Sequence, residues 1–220
     1  MKICLAISTL SSGGAERNAS LLANFLSKEN SVSILTFQKN KNCFYNLSKK
    51  VKILNLNLLD NNQNFLFKIY NFLKRIYLIN LNLRKYKPDV LISFLETMNI
   101  TVLISSLFIR SIKIKIISDR NNPEESERPI LNLILKMIFY RFCNYLVLQT
   151  KGITKMYKFL NKSKIRIIQN TISEDVKHKN TRKLNKNLKF ISVGRLEKQK
   201  GYDVLIKALY LLRKKKINFK

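Results

Sequence analysis

The 220-residue chain is short of acid: 13 Asp and Glu stand against 42 Lys and Arg. It has one histidine and three cysteines. Each shortage narrows the chemistry. Cys4, Cys43 and Cys143 are odd in number and widely spaced, with no CxxC, and His178 stands alone in a polar stretch. Free thiols in a reducing compartment follow, and no metal site is expected. The glycine pattern G-x-G-x-x-G occurs nowhere, so the dinucleotide fingerprint is missing. No window is long and uncharged enough to span a bilayer. The apolar start is too short for a secretory leader and runs straight into a glycine turn, so it reads as a first strand. Internal repeats and prion-like tracts are also lacking. The expected location is cytoplasmic, peripheral at the inner face of the membrane.

What is present is positive charge, a formal +29. Such a balance attracts lipid headgroups, nucleic acid or phosphorylated substrates. The basic residues are spread along the chain rather than gathered in one arm, and a composition rich in Lys, Asn and Ile accounts for part of the excess. No recognition-helix motif is evident, and no specific nucleic-acid partner is expected.

Hydrophobic patterning predicts strands over 2–7, 31–37, 51–54, 89–94, 113–118, 145–148 and 165–168. It predicts helices over 15–28, 64–86, 97–110, 130–142 and 150–160, the last with Thr150 as N-cap. Strands alternating with helices at short spacing imply an α/β fold with a doubly wound, mostly parallel Rossmann-like sheet over residues 1–170. The apolar pattern vanishes over 171–187, which reads as a linker. A further strand over 188–193 and a helix over 202–216 then begin a second Rossmann-like unit, 188–220, which one strand and one helix leave incomplete.

Ligands in such sheets bind beyond the carboxyl ends of the strands. The stretch S-T-L-S-S-G-G-A-E-R, Ser8 to Arg17, follows the first strand and opens a helix. Strand, glycine turn and helix together present free N–H groups and a positive helix end to an anion. Gly13 and Gly14 permit positive φ and close approach, and Arg17 adds a bidentate phosphate donor. An ordinary tight turn with a surface arginine is the competing reading. The long segment 64–86 mixes aromatic and aliphatic residues with cations. Lys68, Phe72, Lys74 and Arg75 are its candidate contacts with an anionic membrane surface, against a core helix with snorkelling lysines.

Four motifs occur in order: S-G-G-A-E-R, I-S-D-R-N-N-P at 117–123, I-I-Q-N at 167–170, and S-V-G-R-L-E-K-Q-K-G-Y at 192–202. In that order the chain resembles family 4 glycosyltransferases of GT-B fold, in the subgroup with a Gly-Gly-Ala-Glu-Arg loop. The resemblance implies a GT-B N-terminal, acceptor-side domain and the opening of a donor-side domain. It implies retaining transfer of a sugar from a nucleotide diphosphate, UDP-linked, to a lipid-linked or polysaccharide acceptor. The nucleotide sugar is the substrate, and no cofactor is expected.

Gly13 and Gly14 would then offer backbone donors, and Arg195 and Lys200 match the family's basic pair on the donor pyrophosphate. Fixed cations there would neutralise the leaving diphosphate. Asp119 and Arg120 fall where members place a residue near the transferred sugar, which makes them the candidate catalytic pair. Arg120 stays protonated and is unsuited as a base, so it would bind a phosphate or sugar oxygen. The competing reading is a loop salt-bridged to Glu124, Glu125 and Glu127.

One departure stands out. The family's E-x7-E pair is absent, since no two glutamates here are eight positions apart. A fragment, inactive alone, or a half completed by a separate chain is therefore expected. The alternative is a non-catalytic remnant that binds membrane or glycan.

Overall fold

A computed structural model describes residues 1–38, 43–58, 65–120, 129–170, 189–194, 196, 200–217 and 219. The chain forms two compact units, Met1–Thr171 and Ile172–Lys220.

The first unit is built on seven parallel strands. These are β1 (Lys2–Ala6), β2 (Ser31–Thr36), β3 (Lys52–Asn55), β4 (Val90–Phe94), β5 (Ile114–Ser118), β6 (Tyr145–Leu148) and β7 (Ile165–Ile167). Their order across the sheet is β3-β2-β1-β4-β5-β6-β7. The chain winds outward from β1 to β3, returns through a long helix, and places β4 on the other side of β1. That reversal between β1 and β4 is the switch point at which such sheets open a crevice.

Helices α1 (Gly14–Leu26), α2 (Phe65–Tyr86), α3 (Glu96–Ser105) and α4 (Pro129–Phe139) cover the sheet. Alternation along β1 sends Ile3, Leu5 and Ile7 into the same cluster as Ala19 and Ala23 of α1. Cys4 and Ala6 pack instead with Ile79 and Leu83 of α2 and Met98 and Val102 of α3. On the far half, Ile100 and Leu103 of α3 meet Ile117, Tyr140, Leu146, Leu148 and Tyr157. Helix α3 is thus enclosed nearly all round, and Met98 to Leu103 are buried without a break. The strands are short apolar runs because both sheet faces are covered.

Helix α2 stops where Lys87 takes φ 51 and its N–H bonds Leu83 O at 2.8 Å, with Pro88 barring continuation. Helix α3 ends at Ser105 rather than at 110, because Ser105 and Ser106 turn their hydroxyls back onto Thr101 O and Leu103 O. The helix expected over 150–160 is a 3-10 segment, Gly152–Tyr157, and Lys151 rather than Thr150 occupies its N-cap. Gly152 and β-branched Ile153 and Thr154 weaken an α-helix there, and the Thr154 hydroxyl bonds Lys151 O at 2.7 Å.

The second unit contains α5 (Tyr202–Lys214), entered through Gly201 at φ 63, a left-handed position that favours glycine. Lys189–Val193, the described part of the strand expected over 188–193, has no strand pairing. An apolar run alone supplies no ladder partners. The expected linker, 171–187, lies outside the described residues.

Candidate active site at the carboxyl edge of the sheet

The glycine loop after β1 is tied to the end of β2. Phe37 N and Thr36 Oγ1 donate to Ser8 O at 3.1 and 2.9 Å, and Leu10 N donates to Gln38 Oε1 at 2.9 Å. Gly13 is the N-cap of α1 with φ −92, and Gly14 is its first helical residue. Neither uses positive φ, which corrects the reason expected for the two glycines. Gly13 leaves room for another group: a Cβ there would meet the carboxylate end of the flexible Glu16 side chain, which would have to shift. Glu16, in the first helical turn, folds its carboxylate back over the N-cap and accepts from Thr9 Oγ1 at 3.1 Å. Glu16 occupies the third helical position, where a capping-box glutamate stands. The positive end of α1 therefore already faces a resident carboxylate. Arg17 is half-buried on the same turn.

Beside this loop, Leu95 ends β4 at φ 73 and ψ 146, a left-handed backbone that L-residues rarely adopt. Its N–H donates to Ser118 O at 3.0 Å, which binds the ends of β4 and β5 together. Asp119 follows β5 and is 3 % exposed. Its carboxylate accepts from Asn99 Nδ2 at 2.8 Å, from Tyr140 Oη at 2.9 and 3.0 Å, and from Tyr157 Oη. Lys136 Nζ lies 3.3 Å from Asp119 Oδ2 and 2.8 Å from Glu96 Oε2. Burial, and then the Asp119 charge, holds both tyrosine hydroxyls above their usual range, so they remain donors. Asp119 thus fixes the loop from below the surface.

Arg120 is the outward member of the pair. Its guanidinium lies over the Phe94 ring at 5.3 Å, and Nη1 donates to Asn170 Oδ1 at 2.6 Å. Asn170 also accepts from Gln149 Nε2 at 3.1 Å. The ends of β5, β6 and β7 are joined in this way. Arg120 Nε is buried with no hydrogen-bond partner among the described residues. Burial lowers the guanidinium's affinity for its proton, yet an arginine so placed remains a cation. An anion or sugar oxygen would satisfy it. Glu124, Glu125 and Glu127, the competing partners, lie outside the described residues, as does Asn121.

Glu96, Asn99, Lys136, Tyr140, Tyr157 and Gln149 were not marked from sequence. A signal did exist for two of them. Lys136 is the lone charge in P-I-L-N-L-I-L-K-M-I-F, and Glu96 is the lone acid between Asp89 and Asp119.

On α2, Lys68 and Lys74 are exposed and Phe72 is half-buried. Arg75 does not join them outside. It stacks over Phe37 at 5.0 Å and donates from Nη2 to Leu58 O at 3.2 Å, because a guanidinium fork serves a carbonyl and a ring together. Tyr70, Leu73, Tyr77 and Leu81 form an exposed apolar stripe on α2. Among the described residues no helix is long and apolar enough to cross a membrane. In the second unit, Lys200 is exposed just before α5, and Tyr202 Oη donates to Gly194 O at 3.0 Å. Arg195 lies outside the described residues.

No protein-family model matches the chain. It is 31 % identical over 220 residues to a Campylobacter jejuni enzyme named GalNAc-α-(1→4)-GalNAc-α-(1→3)-diNAcBac-PP-undecaprenol α-1,4-N-acetyl-D-galactosaminyltransferase. The match takes in 97 % of this chain and 58 % of that enzyme, so the chain spans little more than half the length of this relative. Among solved structures, the apo lipopolysaccharide outer core galactosyltransferase WaaB superposes with a TM-score of 0.60 at 13 % identity, over 79 % of this chain and 46 % of that one. Sucrose-phosphate synthase from Thermosynechococcus elongatus gives 0.59 at 11 % identity, over 76 % and 47 %. UDP-N-acetylglucosamine 2-epimerases share the fold as well, so backbone likeness assigns architecture and not chemistry. The chain is similar in sequence to a glycosyltransferase, and its parallel sheet has the Rossmann-like architecture found in GT-B glycosyltransferases.

Proposed function

We propose that the chain forms the acceptor side, and the opening of the donor side, of a retaining family 4 glycosyltransferase. It moves a sugar from a UDP-linked donor to a lipid-pyrophosphate-linked glycan at the inner face of the membrane. The observation that carries this reading is the similarity to the Campylobacter transferase, which runs through both units. That enzyme's name specifies a polyprenyl-diphosphate acceptor and an N-acetylgalactosaminyl transfer.

On this reading Arg120 binds a phosphate or hydroxyl oxygen, using the Nε that no described residue engages. Asp119 holds the Arg120 loop and does not touch substrate. Main-chain groups at Gly13 and Gly14, with Arg17, receive an anion once Glu16 is displaced. Arg195 and Lys200 neutralise the leaving diphosphate, a role for fixed cations where negative charge develops. Lys68, Lys74 and the ring of Phe72 rest on anionic headgroups, while Arg75 stays inside. The rest of the donor site comes from sequence beyond these residues or from a second chain. A reading of the chain as a non-catalytic membrane- or glycan-binding module shares all of this except turnover.

The test is a chimaera that joins residues 1–220 to the part of the Campylobacter enzyme they do not cover. The probes are UDP-N-acetylgalactosamine and a polyprenyl-diphosphate glycan. Transfer is expected, with Arg195→Ala and Arg120→Gln each lowering kcat/KM by about 10²-fold or more. A folded chimaera that binds neither probe overturns the assignment. One that binds both without turnover favours the non-catalytic reading.

A further inference from the structure

At the opposite end of the sheet from Arg120, where α2 ends and the turn after α3 leads into β5, lies a cavity of about 410 Å³. Its walls are Arg84, Lys87, Phe108, Ile109, Arg110 and Ser111. Its volume falls within the usual range of small-molecule sites, roughly 300–1,000 Å³. Three cations converge here, and none has an ion pair among the described residues.

The acid closest along the chain is already committed. Asp89 accepts from Lys2 N at 2.8 Å and pairs with Lys113 at 3.7 Å. The carbonyl end of α2 offsets about half a charge, which leaves more than two of the three uncompensated. The positions are also held. Arg84 Nε donates to Asn80 Oδ1 at 2.8 Å, which fixes its guanidinium plane. Lys87 occupies the left-handed position closing α2, where glycine is usual. Ser111 Oγ is buried in the wall with no hydrogen-bond partner among the described residues, an orphan that asks for an explanation. At the rim Phe108 is 84 % exposed.

We propose that this cavity binds a phosphate group, held by Arg84, Lys87 and Arg110. A phosphate carries one to two negative charges and accepts paired N–H donors from arginine. The Ser111 hydroxyl completes the shell by donating after a turn about its Cα–Cβ bond. The phosphate comes either from an anionic lipid headgroup, with Phe108 reaching toward the acyl region, or from a soluble phosphate ester. The site shares no residue with the carboxyl-edge site and stands whether or not the transferase reading holds.

The experiment is thermal unfolding of the 220-residue chain titrated with inorganic phosphate at constant ionic strength, beside flotation with phosphatidylglycerol and phosphatidylcholine vesicles. The variants are Arg84→Gln/Arg110→Gln, the charge-matched control Lys49→Gln/Lys52→Gln, and Phe108→Ser. The replaced side chains are exposed, so the variants fold. Saturable stabilisation by phosphate is expected. Its midpoint should rise at least about tenfold in the double arginine variant, one lost charge-assisted bond being worth that much, and stay unchanged in the lysine control. If Phe108→Ser and the arginine pair both abolish flotation with phosphatidylglycerol, the source is lipid. If flotation is indifferent to both while the phosphate midpoint moves, the source is soluble. The proposal is overturned if neither phosphate binding nor flotation responds to the arginine pair, or if the lysine control loses as much.

Discussion

Lys136 Nζ lies 2.8 Å from Glu96 Oε2, which ties the single charge of α4 to the first turn of α3. The lysine side chain is 3 % exposed, and it also stands 5.9 and 5.6 Å from the Tyr140 and Tyr157 ring centres. A buried lysine is tolerated only with such partners. Lys136→Met should cost about 3–5 kcal/mol, because it leaves Glu96 and Asp119 uncompensated inside the fold. Urea midpoints of variant and parent at neutral pH check it. A deficit below about 1 kcal/mol would refute the buried-charge account.

The two glycines of the loop should respond in opposite ways. Gly13→Ala places a methyl against the movable end of Glu16, so the carboxylate leaves the N-cap and Thr9 at a cost of at most about 1 kcal/mol. Nothing lies within 4 Å of a Cβ at Gly14. Gly14→Ala should be neutral or stabilising by up to about 1 kcal/mol, by limiting the unfolded chain. In a Glu16→Ala background the Gly13→Ala cost should vanish. Thermal melts of the parent and the four variants settle the pattern.

Asp89 sets part of the acid limit. The Lys2 backbone N–H, followed by the Lys113 charge, holds its carboxyl below the usual carboxylate range. A lowered folded value means that the contribution is complete above the unfolded value and disappears as pH falls through the folded one. Asp89→Asn should thus be less stable than the parent at neutral pH. The two should converge between about pH 4 and pH 2. Guanidinium unfolding across that window, with no convergence, would count against the linkage.

Burial pushes the Cys4 and Cys143 thiols up to about 11 each, with Lys164 pulling Cys143 the other way. At pH 8 on the order of one in a thousand would be thiolate. A disulfide reagent should therefore modify Cys43, which is half-buried, well before the other two, which wait for unfolding. Three equally fast thiols would show that the sheet is open at β1.

The order of strands and helices was legible in the sequence because short apolar runs alternating with amphipathic segments have one economical arrangement, a covered parallel sheet. The runs over 145–148 and 165–168 marked β6 and β7 to within a residue. Thr150 misled because its hydroxyl suits an N-cap, while Gly152 and two β-branched neighbours kept the next turns from becoming an α-helix. Arg75 misled for a related reason. Helical spacing gives the face a residue occupies, but not that a long side chain will bend back to a ring and a carbonyl.

Local apolar patterning sets where the chain turns from strand to helix, and therefore which loops gather at the carboxyl edge. What stands in those loops is settled by the tertiary fold: Asp119 beneath the surface, Arg120 half-buried against Phe94, Glu16 over the N-cap of α1. The first two depend on partners far along the chain, Tyr157 for Asp119 and Asn170 for Arg120. Contacts across 38 and 50 residues leave no mark on local periodicity.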